Sequence, residues 1–213
     1  LALLGFQPVT FTGDEQAKAR PMGAIIDALR QLGAKVDDEG RGTLPFTVTP
    51  GGLPSDDHTI TIDASASSQF VSGLLLTAPR FPAAITIEHS GSSLPSLPHI
   101  EMTIRCLTER GVDVDFSGQG RWSVLPQPIE ATDLTIEPDL SNAAPFLAAA
   151  MVAGGTVSVR DWPRQTTQVG DQLRTLLAKF GVLVDQEDDV VSVHGAGIGP
   201  GVSLQPVSLD LSE

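Results

Sequence analysis

The strongest constraint on this chain is that it repeats itself. A helical stripe of Ile25, Ile26, Leu29 and Leu32 runs through Pro21–Leu32, stops at Gly33 and gives way to a short extended run, Ala34–Asp37. The same order returns at Pro98–Arg110, Gly111 and Val112–Asp115, and again at Val169–Phe180, Gly181 and Val182–Asp185. Each glycine stands where an amphipathic helix would close in a left-handed C-cap before a strand begins. A second β-rich run follows each strand, at Pro45–Thr49, Arg121–Leu125 and Val190–His194, in position to be its hairpin partner.

A second repeat interleaves with the first. Asp63-Ala-Ser-Ala-Ser-Ser-Gln-Phe70 leads into the apolar helix Val71–Thr77, and Asp139-Leu-Ser-Asn-Ala-Ala-Pro-Phe146 leads into Leu147–Ala153. A β run follows each, at Ala84–Glu88 and Thr156–Arg160. The combined unit reads βαβαββ in circular order and occurs about two and a half times. The fold class is therefore α/β. The second helix type is apolar on nearly every face, which predicts that it is buried all round with sheets outside it. The longest stretch of loop composition, Pro126–Thr135, places a domain boundary there, with residues 1–135 on one side and 136–213 on the other.

Charge and cysteine content remove several function classes. Thirteen basic against 26 acidic side chains leave a net charge of −13, so nothing is available to neutralise a row of phosphates and no nucleic-acid partner is expected. The single cysteine, Cys106, excludes internal disulfides and zinc-type cysteine clusters, consistent with a reducing compartment, and reads as a small buried helix residue. His58, His89, His99 and His194 lack metal-ligand spacing, and no metal is expected. The acidic run Asp185–Asp189 reads as a solvated hairpin turn, and Gly195–Gly201 as a loop without the following helix that a dinucleotide fingerprint needs. No apolar run has the length of a membrane helix, and no secretory leader is evident. The chain opens at Leu1 as if cut from something larger.

The repeat serves as its own control. Asp63 and Asp139, Ser65 and Ser141, and Phe70 and Phe146 agree, which assigns them to caps and core. Ser67, Ser68 and Gln69 become Ala143, Ala144 and Pro145 in the second copy. The first copy alone thus places two hydroxyls and an amide at a helix mouth, where free N–H groups favour an anion; plain serine capping is the alternative. Arg20 precedes Pro21, a residue suited to the first helical position, and its guanidinium fits a phosphate or carboxylate, the alternative being a solvated arginine. Ser96 lies between two prolines before the next helix, where a simple turn is the alternative. Should these helices share one open end, the three motifs meet at one anion.

Gly13…Arg20-Pro21, Asp63-Ala-Ser-Ala-Ser-Ser-Gln-Phe70, Ser96-Leu-Pro-His99 and Asp139-Leu-Ser-Asn…Phe146-Leu-Ala-Ala-Ala150 resemble the 5-enolpyruvylshikimate-3-phosphate synthases, most closely the actinobacterial branch. The resemblance runs through the whole chain in order. It implies an inside-out α/β prism of βαβαββ units with buried parallel helices, residues 1–135 belonging to one substrate-binding lobe and 136–213 forming one unit of the other. It implies transfer of the enolpyruvyl group of phosphoenolpyruvate to the 5-hydroxyl of shikimate 3-phosphate, in aromatic amino acid biosynthesis, by a cytoplasmic, monomeric parent without cofactor. Arg20 would contact phosphoenolpyruvate; Ser67, Ser68 and Ser96 would hold shikimate 3-phosphate; Gln69 would touch both. His99 stands where many members place a tyrosine over the shikimate ring. The family's N-terminal Lys-Ser segment, proton-transferring acid and remaining Lys and Arg residues have no match here, so no catalytic residue is assigned within residues 1–213 and the chain alone is expected to be inactive. Two rival readings are an enolpyruvyl transferase acting on UDP-N-acetylglucosamine, which would need a loop cysteine, and a non-catalytic α/β interaction module.

Overall fold

The computed structural model describes residues 1–94, 97–118, 120–199 and 206–208. The chain separates into two compact units, Leu1–Thr132 and Asp133–Glu213, and the division falls inside the loop-like stretch Pro126–Thr135.

Unit 1 holds two sheets. Strands β1 (Val9–Phe11), β2 (Lys35–Asp37) and β3 (Phe46–Thr49) form an antiparallel sheet in the order β1-β3-β2. Helices α1 (Glu15–Lys18) and α2 (Gly23–Gln31) lie between β1 and β2 in sequence. Strands β4 (His58–Ile62), β5 (Ile85–His89), β6 (Val114–Phe116) and β7 (Arg121–Val124) form the second sheet in the order β4-β5-β7-β6; only β4 and β5 run parallel. That pair is linked through α3 (Gln69–Leu75), as a parallel crossover requires, and α4 (Leu97–Thr108) connects β5 to β6. The periodic stripe of α2 faces the core, where Ile26, Leu32, Val48, Ile60, Val71, Leu75, Ile85, Ile87, Ile100 and Trp122 are almost wholly buried. At Gly33 (φ +89°) and Gly111 (φ +74°) the helices close as expected: the amides of Ala34 and Val112 reach back to the carbonyls of Leu29 and Leu107, both at 3.0 Å.

The side chain of Gln31 closes the edge of β4 by imitating a strand. Its amide donates to the Thr61 carbonyl and accepts from the Thr61 N–H, both at 2.9 Å, so α2 is tied to the second sheet.

Unit 2 contains α5 (Leu140–Ala153), β8 (Gly155–Val159), α6 (Leu173–Lys179), β9 (Leu183–Glu187) and β10 (Val190–Gly195), with the strands antiparallel in the order β8-β10-β9. Its core gathers Leu140, Leu147, Ala150, Trp162, Leu177, Val191 and Val193. The buried Trp162 donates from Nε1 to Asp171 at 2.8 Å, and Arg174 pairs with that carboxylate at 2.6 Å while lying over the indole ring. Burial pushes the Asp171 carboxyl up, but the hydrogen bonds from Arg174 and Trp162 outweigh it and leave the group below the usual aspartate range. Gly195 and Gly197 of the glycine-rich stretch pack their backbone against α5 and its C-cap. A Cβ on Gly195 would lie 1.9 Å from the Ala150 carbonyl oxygen of α5.

Four expectations need correction. The two copies of the second helix do not begin at the same place. Asp139 caps α5 by accepting from the Asn142 amide at 3.0 Å, so the helix starts at Leu140 and runs through Pro145. Asp63 instead accepts from Ser65 N at 2.9 Å in a turn, the Ser67 amide returns to the Ala64 carbonyl at 3.1 Å, and α3 starts only at Gln69. Second, these helices are not buried all round. Leu76 of the α3 C-terminus is 47% exposed, and Phe146 and Val152 of α5 are 66% and 50% exposed, since α3 packs chiefly on α4 and α5 on strands β8 and β10. Third, Phe146 is therefore not core, and Phe70 is only half-buried. Fourth, Cys106 is half-buried, with Arg110 Nη1 donating to its carbonyl at 2.7 Å and to its Sγ at 3.1 Å.

Candidate anion-binding cavity

Three stretches of unit 1 meet around one cavity of about 370 Å³. Arg20, Pro21 and Met22 come from the entry to α2, Ala66 to Phe70 from the entry to α3, and His99 from the first turn of α4. Each segment has its own local reason for ending there. Asp14 caps α1 by accepting from the Ala17 amide at 2.7 Å, which turns the chain so that Arg20 follows α1 and precedes α2. The Met22 amide donates to the Gly42 carbonyl at 2.7 Å, anchoring the start of α2. On the other side, Thr103 Oγ1 of α4 donates to Ser72 Oγ of α3 at 2.9 Å, fixing the two helices that carry His99 and Gln69.

Ser68 sits at the N-cap position of α3, yet its hydroxyl makes no capping hydrogen bond, although the residue is only 4% exposed. Ser67 and Ser68 both line the cavity. Arg20 is exposed, and among the described residues no carboxylate pairs with it. A guanidinium, two hydroxyls, an amide side chain and an imidazole around one space are the donor set for an oxyanion such as a phosphate or carboxylate.

The structure brings Arg20, Ser67, Ser68, Gln69 and His99 together; Ser96 lies outside the described residues. The sequence reading missed Met22 and Phe70 as wall residues and gave no hint of what holds the serine loop from behind. Among the described residues no group of three or more His, Cys, Asp or Glu side chains is arranged to hold a metal ion, and no helix is long and apolar enough to cross a membrane.

The family model for EPSP synthase (3-phosphoshikimate 1-carboxyvinyltransferase) matches residues 1–211. The chain is 49% identical, over its whole length, to the 3-phosphoshikimate 1-carboxyvinyltransferase of Kocuria rhizophila, an actinobacterium, and covers 47% of that relative. Two crystal structures of EPSP synthase from Acinetobacter baumannii superimpose with a TM-score of 0.61 at 24% identity, over 88% of this chain and 42% or 43% of theirs. The latter likeness is one of fold, the inside-out α/β architecture. An α/β fold with an oxyanion-type cavity at a cluster of helix entries defines the class. The chain belongs to the EPSP synthase family. It spans about half the length of the curated relative it matches.

Proposed function

We propose that the protein of which this chain forms part transfers the enolpyruvyl group of phosphoenolpyruvate to the 5-hydroxyl of shikimate 3-phosphate, releasing phosphate, as a cytoplasmic monomer, and that the cavity of unit 1 holds the anionic groups of these substrates. The observation that supports this reading is the meeting of Arg20, Ser67, Ser68, Gln69 and His99 around one space. Ser67 and Ser68, with Ser96, receive shikimate 3-phosphate; Gln69 lies between the two substrates; Arg20 pairs with a carboxylate or phosphate of phosphoenolpyruvate; His99 covers the shikimate ring. The reaction needs both anions positioned, a base for the hydroxyl proton and an acid for the methylene carbon. The residues of this cavity supply the positioning.

A rival based on a loop cysteine finds no support in Cys106, which lies within α4 and is engaged by Arg110. The test is titration of the isotope-labelled chain with shikimate 3-phosphate, followed by amide NMR. Shifts centred on Ser67, Ser68 and His99 are expected. The double variant Ser67→Ala/Ser68→Ala should weaken binding by about 10- to 100-fold, the worth of one or two hydrogen bonds to a charged group. A folded chain whose cavity amides stay still at saturating ligand would sink the proposal.

A further inference from the structure

The serine loop that lines the cavity is held from behind by a residue outside it. His89 ends β5, and its Nδ1 accepts the backbone N–H of Ala64 at 3.1 Å, across 25 positions in the chain. The carbonyl of the same peptide residue, Ala64, accepts the Ser67 amide at 3.1 Å. Ala64 is fully buried, so neither bond has water as a ready substitute. We propose that His89 is a positioning residue for the cavity: its neutral imidazole grips Ala64 and, through Ala64, fixes Ser67. This rests on the substrate reading above and deepens it.

Three observations carry the inference. First, the acceptor role of Nδ1 requires the ring to be neutral with its proton on Nε2; an imidazolium would offer a donor to a donor. Second, the surroundings of the ring are built closely. A Cβ on Gly91 would lie 2.0 Å from Ser65 Oγ, 2.4 Å from Asp63 Oδ1 and 2.6 Å from His89 Cε1, so the turn after β5 closes over the loop with backbone alone. Third, the second copy of the repeat has a different solution. There the stretch after Asp139 winds directly into α5 and lines no comparable loop, whereas the first copy keeps Ala64–Ser68 out of the helix. Something must stabilise that non-helical loop, and the bonds that the amides of Ser65 and Ala64 donate to Asp63 and His89 do so.

Loss of the Nδ1 acceptor would then loosen Ser67. The charged groups around the ring are Asp63 at the end of β4 and the Glu88–Arg121 pair, joined at 2.9 Å across β5 and β7; α3, which packs on β5, carries no titratable group. The His89→Asn variant keeps an acceptor near Nδ1, and His89→Ala removes it.

The experiment combines ligand binding with a readout that needs no ligand. In the labelled chain, long-range nitrogen–proton correlation should show the Nε2–H tautomer of His89, and the amides of Ala64 and Ser67 should shift in His89→Ala and return in His89→Asn. His89→Ala should bind shikimate 3-phosphate about fivefold more weakly than the natural chain, the worth of one hydrogen bond, and His89→Asn should restore the affinity. An Nδ1–H tautomer, Ala64 and Ser67 amides indifferent to His89→Ala, or His89→Asn binding no better than His89→Ala would each overturn the inference. If shikimate 3-phosphate binds none of the proteins, the substrate reading fails, while the tautomer and the amide shifts still decide whether His89 holds the loop.

Discussion

Single peptide groups transmit order to the cavity from both sides. On the α3 side, Ala64 passes the grip of His89 to Ser67. On the α2 side, Asp38 plays the matching part: its carboxylate accepts the Gly42 amide at 2.9 Å and Arg30 Nη2 at 2.7 Å, and the Gly42 carbonyl in turn accepts Met22 N. The Gly42 bond lowers the Asp38 pKa most, burial opposes it, and Arg30 adds to the lowering, so the group stays below the usual aspartate range. Its folded pKa being lower than its unfolded one, Asp38 stabilises the fold in full above about pH 4 and loses that effect as the pH falls further. Asp38→Asn should therefore lower the Tm at neutral pH, and the two melting temperatures should converge under more acid conditions. A difference that persisted unchanged at low pH would show that the charge is not the cause. At the cavity itself, Arg20→Ala should weaken phosphoenolpyruvate binding by about 10- to 100-fold and Arg20→Lys by less, as a point charge replaces a two-pronged donor; calorimetry distinguishes the three proteins.

At the scale of elements, the cavity depends on how neighbouring helices and strands are joined. The hydroxyl bond from Thr103 to Ser72 ties α4 to α3, with His99 on one and Gln69 on the other. Thr103→Val keeps the shape and removes the donor; a stability loss of about 1 kcal/mol is expected by denaturant titration, together with weaker shikimate 3-phosphate binding. In unit 2 the contact of β10 with α5 admits no side chain at Gly195. Gly195→Ala must displace the Ala150 carbonyl, and a loss of about 1–3 kcal/mol or more is expected in the unfolding of this unit. An unchanged midpoint would show that the helix yields freely.

The elements that repeat were readable from the chain because each carries its own periodicity and its own glycine stop. Strands β1 and β4 were not singled out: they have three and five residues, and β4 directly follows the loop-rich run Pro50–Asp57. The early start of α5 escaped notice because an internal Pro145 reads as a helix start, whereas the cap at Asp139 outweighs it.

For the molecule as a whole, charge and cavity have to be weighed together. Thirteen basic against 26 acidic residues leave little cationic character, and among the described residues the cavity wall has a single guanidinium, Arg20, whereas the substrates proposed above together carry several negative charges. The 213-residue chain alone is therefore expected to bind shikimate 3-phosphate without turnover; native-like phosphate release in a coupled assay would refute this. The exposed apolar faces of α3 and α5 were legible as apolar but not as exposed. Hydropathy states what a helix would bury, and only its neighbours decide what it does bury. By itself the sequence determined the α/β class, the repeat, and Arg20, Ser67, Ser68, Gln69 and Ser96 as candidates, because periodicity, caps and differences between copies are local signals, while His99 entered through the family resemblance. The tertiary structure alone decided that these side chains share one space and that His89 secures Ala64, because a pocket and its support are made by residues that approach only when distant stretches of backbone pack together.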